Sequence, residues 1–324
     1  MSDELIVVTG ASGLIGSGIV RHLNDRGMTN LLLVDRLGSD NRWKNLVGKS
    51  FLDIIHPDEL FVWLDGKEDT VDAIIHMGAC SDTMERDCDY LLENNTHYST
   101  YLAEWALKHD KRFIYASSAA TYGLGELGFS DDEDHLEDLQ PLNMYGYSKH
   151  LFDLWLKREG VLDQVVGLKY FNVFGPNEYH KGRMASAVCQ MYPKVVQEGE
   201  IALFKSLDTK KIKHGEQKRD FIYVKDAVRI TCDFLDKDCG GIFNVGTGEA
   251  NSWNTLGKAL FAASGIKPKI KYVEMPEGLK KQYQDFTEAD VKKLKKHGLL
   301  KKMTPFKDAV EDYVVNYLAK EARW

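Results

Sequence analysis

Apolar positions along the first half of the chain come in short unbroken runs, separated by segments with helical spacing. Leu5-Ile6-Val7-Val8-Thr9 is apolar and β-branched, and the glycine-rich stretch from Gly10 to Gly16 follows it directly. Apolar residues then recur at Ile19, Val20 and Leu23, as one face of a helix requires. Leu31 to Asp35 reads as a second strand, 58–64 as a short helix and Ala73 to His76 as a further strand. Residues 89–108 read as a long helix, Arg112 to Ala116 as the next strand and Val165 to Tyr170 as another. The strands are continuously apolar rather than alternating, which predicts parallel strands covered on both faces. The strand–helix rhythm predicts an α/β chain with a doubly wound sheet. Past Gly167 the rhythm changes, and the predicted division is 1–171 and 172–324. The second part is expected to be a smaller C-terminal α/β portion that binds substrate. Segments near 220–248 are expected to return to the first domain as a helix and a strand. Residues 131–138 form an acidic stretch, expected to be a solvated loop. Lys205 to Arg219 holds six Lys or Arg and one His. That stretch reads equally well as an exposed loop or as a cationic wall for substrate phosphates.

Composition narrows the class. The chain has 324 residues, 44% hydrophobic and 28% charged, with a net charge of −7. That is the make-up of an ordinary globular protein and argues against nucleic-acid or anionic-membrane binding. No apolar run reaches the length of a membrane span. The first strand begins at once, so no signal peptide is expected. Five scattered cysteines form no C-x-x-C pair. They point to a reducing cytoplasm and away from a metal site.

The chemistry begins at the glycines. Strand, Gly-x-x-Gly-x-x-Gly turn and helix is the layout that cradles a dinucleotide pyrophosphate, so the expected fold is Rossmann-type. Gly10 permits the tight turn, Gly13 lets the backbone approach phosphate, and Gly16 lets helix and strand pack closely. Ser12, Leu14 and Ile15 complete the cofactor-facing turn at a helix N-terminus. Asp35 stands 19 residues past Gly16. An acid there accepts from the adenosine ribose and by itself favours NAD. Arg36, Arg42 and Lys44 are close by, and a guanidinium can grip a 2′-phosphate.

Tyr145 and Lys149 are four residues apart, hence on one helix face; Tyr147 lacks that spacing. A phenol titrates near ~10. Working near neutral pH needs a drop of roughly 3 units, which a neighbouring ammonium and an oxidised nicotinamide ring favour. Ser118 is then placed to hold a substrate hydroxyl while Tyr145 moves its proton. His76 is either a core residue at a strand end or, as expected here, part of the cofactor groove.

The glycine turn, Ser117-Ser118-Ala119-Ala120-Thr121-Tyr122-Gly123, Tyr145-x-x-x-Lys149, the 219–226 stretch and Asn244 to Gly248 resemble the extended short-chain dehydrogenase/reductase superfamily, whose members act on nucleotide sugars. A narrower set resembles the ADP-L-glycero-D-manno-heptose 6-epimerase family. It comprises His76-Met77-Gly78-Ala79-Cys80-Ser81, Glu93-Asn94-Asn95, Tyr170 to Pro176, His180-Lys181-Gly182-x-Met184-Ala185-Ser186 and Tyr283-Gln284-x-Phe286-Thr287. The resemblance implies an isomerase that makes a lipopolysaccharide-core precursor from ADP-heptose. It does so through a transient 6-keto sugar, with a retained nicotinamide cofactor. Tyr145 and Lys181 would be the two proton-handling groups, Lys149 would hold the nicotinamide ribose, and Ser118 would orient the substrate oxygen. Met77, Gly78, Ala79, Cys80, Ser81, Asn94 and Val173 would line the cofactor site. Ser81, Asn172, Lys181, Arg183, Gln190, Phe204, Lys205, Ser206, Arg219 and Tyr283 would meet the substrate. The family generally uses NADP with an acid at the place of Asp35 and a basic residue at that of Arg42. NADP is therefore the expected cofactor, NAD the alternative. A homo-oligomer, a pentamer by resemblance, is also implied. Arg183 stands where the family often has Ser, Gln190 where it has His, and the basic loop after Phe204 is longer. The rivals are a 4-epimerase or 4,6-dehydratase of nucleotide sugars, and a non-catalytic cofactor-sensing protein. Ala119-Ala120-Thr121, where a dehydratase carries an acid, weighs against the dehydratase. The retained Tyr and Lys weigh against the non-catalytic protein.

Overall fold

A computed structural model describes residues 4–280 and 283–324. The strands are β1 (Leu5–Thr9), β2 (Leu31–Val34), β3 (Asp53–Ile55), β4 (Val71–His76), β5 (Arg112–Ser118), β6 (Val166–Tyr170), β7 (Asn172–Phe174), β8 (Ile201–Phe204), β9 (Lys218–Tyr223), β10 (Gly241–Val245), β11 (Ala250–Ser252) and β12 (Ile270–Val273). Seven of them make one parallel sheet in the order β10-β6-β5-β4-β1-β2-β3. Residues of one strand alternate between two cores. Ile6 and Val8 of β1 go to one face, Leu5 and Val7 to the other. The unbroken apolar runs therefore bury both sides of the sheet, as parallel strands between helices must. β3 escaped the sequence reading because its three residues are an edge strand, only partly buried.

The strand order reverses between β1 and β4. Crevices for ligands open at that point, beyond the carboxyl ends of the strands. The helix Leu14–Asp25 leaves β1 through the glycine turn, and the helix Val224–Asp233 packs against it. A Cβ on Gly18 would come within 2.8 Å of Val228 Cγ2. β10 registers on β6 from Gly241↔Val166 to Val245↔Tyr170. The remaining strands form a three-stranded sheet, β11-β9-β7, and a parallel pair, β12-β8.

Two expectations need correction. The long helix is continuous but changes pitch: Cys88–Leu91 and Tyr98–Lys108 are α-helical, and Leu92–His97 between them is π-helical. The acidic stretch is not simply solvated. Asp131 is buried and accepts from the Asn244 amide at 2.9 Å. Glu133 accepts from the Ile242 amide at 2.6 Å and from Lys293 at 2.6 Å. Its inward acids take up amides of the edge strand β10, and the outward ones, such as Asp132 and Asp134, account for the solvated appearance. Among the described residues, no helix is long and apolar enough to cross a membrane, and no His/Cys/Asp/Glu cluster is arranged for a metal ion.

Candidate active site

A cleft of about 930 Å³ opens at the carboxyl ends of β1, β4, β5 and β6. Gly10, Gly13, Leu14, Ile15 and Gly16 form one wall. Gly10 has φ +65°, and a Cβ there would meet the Gly78 backbone at 2.7 Å. A Cβ on Gly16 would sit 2.1 Å from the Gly10 carbonyl oxygen. Only hydrogen fits at either place. The helix Leu14–Asp25 is capped by Gly13 with no side-chain hydrogen bond, so its first N–H groups stay available to an anion. At the far end Asp35 and Arg42 also line the cleft. Ser12 does not: it is buried, and its amide and hydroxyl donate to Asp35 at 2.7 and 2.6 Å, fixing the carboxylate. A helix N-terminus with free N–H groups, a pre-aimed carboxylate and a guanidinium fit an adenine dinucleotide.

Met77, Gly78, Ala79, Cys80 and Ser81 line the opposite wall, with Asn172 and Val173 beyond. His76 corrects the expectation. It lies in the core between Thr9 Oγ1 (2.7 Å) and Ser99 Oγ (2.9 Å), its ring stacked between Tyr98 and Phe113. Burial and the nearby Lys149 cation push its imidazole down to about 3, so it stays neutral. Asn94 is also outside the lining; its neighbour Asn95 does the holding. Asn95 accepts from the Cys80 amide at 2.8 Å and donates to the Cys80 carbonyl and Ser148 Oγ, both at 3.0 Å. Within the π-helical stretch Asn95 is buried, whereas Asn94 is only half-buried.

Tyr145, Lys149 and Ser118 all line the cleft. The helix Met144–Arg158 begins with Asn143 accepting from the Gly146 amide at 2.8 Å. Its four-residue spacing aligns Tyr145, Lys149 and Asp153, while Tyr147 is 45% exposed. Burial raises the Tyr145 pKa, and a hydrogen bond with Ser118 draws it back. The protein alone therefore does not lower this phenol as the sequence reading expected; desolvation exceeds the pull of the Ser118 hydrogen bond. Burial lowers Lys149 to about 8, against the opposing field of Asp153. The Lys149 charge is lost as pH rises through about 8. The alkaline limb of kcat/KM is therefore expected near pH 8 in a pH–rate profile; a limb starting only above about pH 10, the free-lysine value, would contradict this.

Asp153 was not singled out from sequence. It is fully buried and accepts from Tyr115 (2.8 Å), Ser117 (2.7 Å) and Lys169 (2.8 Å). Lys169, also buried, donates to Thr121 at 2.6 Å. This network underlies the segment that carries Ser118.

His180 and Lys181 line the cleft from the 3-10 turn Tyr179–Met184. Burial lowers the Lys181 pKa and takes His180 down to about 4. The remaining assigned residues stand apart from the cleft. Arg36 is exposed and paired with Asp58 at 3.1 Å. Arg183 is not in the lining, but it pairs at 2.6 Å with Asp82, which is. Gln190 donates to the carbonyls of Arg183 and Ala185, tying the turn from outside. Arg219 stacks on Trp253 and Tyr283, and Phe204 meets Tyr283 edge-on; of these four residues Trp253 lines the cleft. Lys205 pairs with Glu274 at 2.7 Å, and the Ser206 amide donates to His214. Lys210, Lys211 and Lys213 face solvent, so the basic stretch is an exposed loop rather than a wall of this cleft. Trp253, Gln284 and Thr287, which do line it, were not assigned from sequence.

This fold and cleft define a dinucleotide-dependent α/β enzyme whose tyrosine and lysine share one helix face. The model of the NAD dependent epimerase/dehydratase family matches residues 6–246. The ADP-L-glycero-D-manno-heptose-6-epimerase of Nitratidesulfovibrio vulgaris is 49% identical over 319 residues, covering 97% of this chain and 98% of that protein. The protein of the same name from Fusobacterium nucleatum is 46% identical over 329 residues, covering 98% and 99%. The crystal structure of the Helicobacter pylori enzyme of that name superposes with a TM-score of 0.81 at 26% identity, covering 97% and 96%. A UDP-N-acetylglucosamine 4-epimerase from Methanobrevibacter ruminantium, in complex with UDP-N-acetylmuramic acid, gives a TM-score of 0.83 at 25% identity, covering 99% and 100%. The chain belongs to the NAD dependent epimerase/dehydratase family and, within it, to the ADP-L-glycero-D-manno-heptose-6-epimerases.

Proposed function

We propose that this protein inverts C6 of the heptose in ADP-D-glycero-D-manno-heptose, giving the L-glycero epimer through a transient 6-keto sugar. What carries the reading is Lys181 lining the same cleft as Tyr145, Lys149 and Ser118, in a chain 49% identical to a protein named for that reaction. A nicotinamide cofactor held along the Gly10–Gly16 wall of this cleft would supply the oxidation and the return reduction at C6. Ser118 orients the C6 oxygen. Tyr145 takes or gives the proton on that oxygen in one sugar orientation, and Lys181 does so in the other. Lys149 keeps a positive charge beside the phenol, favouring phenolate against burial. The cleft walls keep water from the ketone while it turns over.

The test is conversion of ADP-D-glycero-D-manno-heptose by purified protein, followed by nuclear magnetic resonance, beside UDP-glucose and UDP-N-acetylglucosamine. Conversion of the ADP-heptose alone is expected. Conversion of the UDP-sugars alone would favour a 4-epimerase.

NADP is the cofactor assigned within this reading. Arg42 lines the cleft, and its hydrogen-bonded partner Asp40, with a smaller contribution from Asp35, holds its charge. A guanidinium at the adenosine end suits a 2′-phosphate. Arg42→Ala is expected to weaken NADP binding by about tenfold to a hundredfold, with little change for NAD, in calorimetric titrations. Equal losses for both cofactors would contradict the assignment. A reducing cytoplasm is the assigned compartment, in keeping with five cysteines that form no disulfide.

A further inference from the structure

Asn177 lies four residues before Lys181, fully buried, with φ +78°. A non-glycine residue stays in that left-handed region only where its surroundings hold it. Here the holding group is remote in sequence. Asn177 Oδ1 accepts from the Trp324 amide at 2.9 Å, and Nδ2 donates to the Trp324 carbonyl at 3.0 Å. The same Nδ2 donates to Ser17 Oγ at 3.0 Å, on the helix that starts at the glycine turn. The Asn177 carbonyl accepts from Asn45 Nδ2 at 2.9 Å, which also donates to the Ser12 carbonyl at 2.9 Å.

Residues 322–324 are themselves fastened. Lys49 Nζ donates to the Trp324 carbonyl at 2.6 Å, and Tyr179 Oη donates to the Ala322 carbonyl at 2.9 Å. The Trp324 ring lies over Gly18, where a Cβ would come within 2.8 Å of it. Residues 322–324 thus fill the space between the cofactor-facing helix and the turn that carries Lys181. Neither Asn177 nor Trp324 lines the cleft.

We infer that Asn177 and residues 322–324 form a clasp that positions Lys181 relative to the Gly10–Gly16 turn. The inference rests on the role given to Lys181 above. It makes Asn177 and Trp324 positioning residues, not catalytic ones. The turn keeps a second tie, since Glu178 accepts from the Ser186 amide and hydroxyl at 2.5 and 2.6 Å. The helix Leu14–Asp25 also keeps its packing on Val224–Asp233. Losing the clasp therefore loosens Lys181 without dismantling the sheet.

The experiment uses the full chain with its cofactor and two variants, deletion of residues 322–324 and Asn177→Gly. Glycine accepts φ +78° without strain, so Asn177→Gly removes only the side-chain bonds. It keeps the test open if the deletion fails to fold. Hydrogen exchange of amides 178–186 is expected to quicken in both variants, while the β1 and β4 amides stay protected. For both, kcat is expected to fall by about tenfold to a hundredfold with KM little changed. Trp324→Phe, which keeps the backbone bonds of the clasp, is expected to retain loop protection. Unchanged exchange and unchanged kcat in Asn177→Gly would overturn the clasp. Lys181→Met, run in parallel, separates the two ideas. If it retains full turnover while Asn177→Gly still frees the loop, the role of Lys181 fails and the clasp stands.

Discussion

Tyr145→Phe is expected to lower kcat for heptose epimerisation by about a hundredfold to ten-thousandfold, with cofactor binding preserved, because one hydroxyl is removed from a cleft left otherwise intact. The phenol lines the cleft with Ser118 and is held neutral by burial until a positive charge favours its anion. Lys181→Met is expected to cause a loss of the same order. If each group serves one orientation of the sugar, removing either blocks epimerisation, and the double variant is hardly slower than the worse single one. Such non-additivity is the mark of groups acting as a unit. Steady-state rates for the wild type, both single variants and the double variant check this. Losses that simply multiply would mean that the two residues act independently.

The second large effect concerns stability. Asp153→Ala is expected to cost about 3–5 kcal/mol in urea denaturation, because it leaves the Lys169 ammonium buried and unpaired. Lys169 is 1% exposed in its side chain, and its other contacts among the described residues, Thr121 and the Tyr122 ring, are neutral. Lys169→Met in the same chain is expected to recover part of the loss, since an apolar side chain of similar volume needs no partner. A loss of Asp153→Ala below about 1 kcal/mol, the range of exposed ion pairs, would contradict a dry, paired site.

Much of this was legible beforehand, for identifiable reasons. Strands covered on both faces leave unbroken apolar runs, so β1, β2, β4, β5 and β6 stood out, whereas the short half-exposed β3 did not. The glycine turn announces itself because no side chain fits at Gly10 or Gly16. Tyr145 and Lys149 show by spacing alone, because an α-helix has a fixed period. Asn94 was implied by resemblance alone, yet within the π-helical Leu92–His97 it is Asn95 that is buried and holds Cys80. His76 is polar at a strand end, yet Thr9 and Ser99 satisfy it inside the core, and neither partner is near it in sequence. The same distance in sequence hid Asp153 with Lys169, Asp131 with Asn244, and Asn177 with Trp324. Pairings of this kind depend on the packed structure and leave no local pattern. Arg219 and Tyr283 illustrate a further limit. The two residues stack on one another, but the cleft is lined by their neighbour Trp253 and not by them.

The central claim is that a hydrogen leaves C6 and returns to the same carbon on its other face without meeting solvent. It is tested most directly by running the conversion of ADP-D-glycero-D-manno-heptose in D2O and examining C6 of both epimers by nuclear magnetic resonance. Complete retention of the original C6 hydrogen in the L-glycero product is the expected result. Deuterium at C6 would show a proton exchanged with water and would contradict the account.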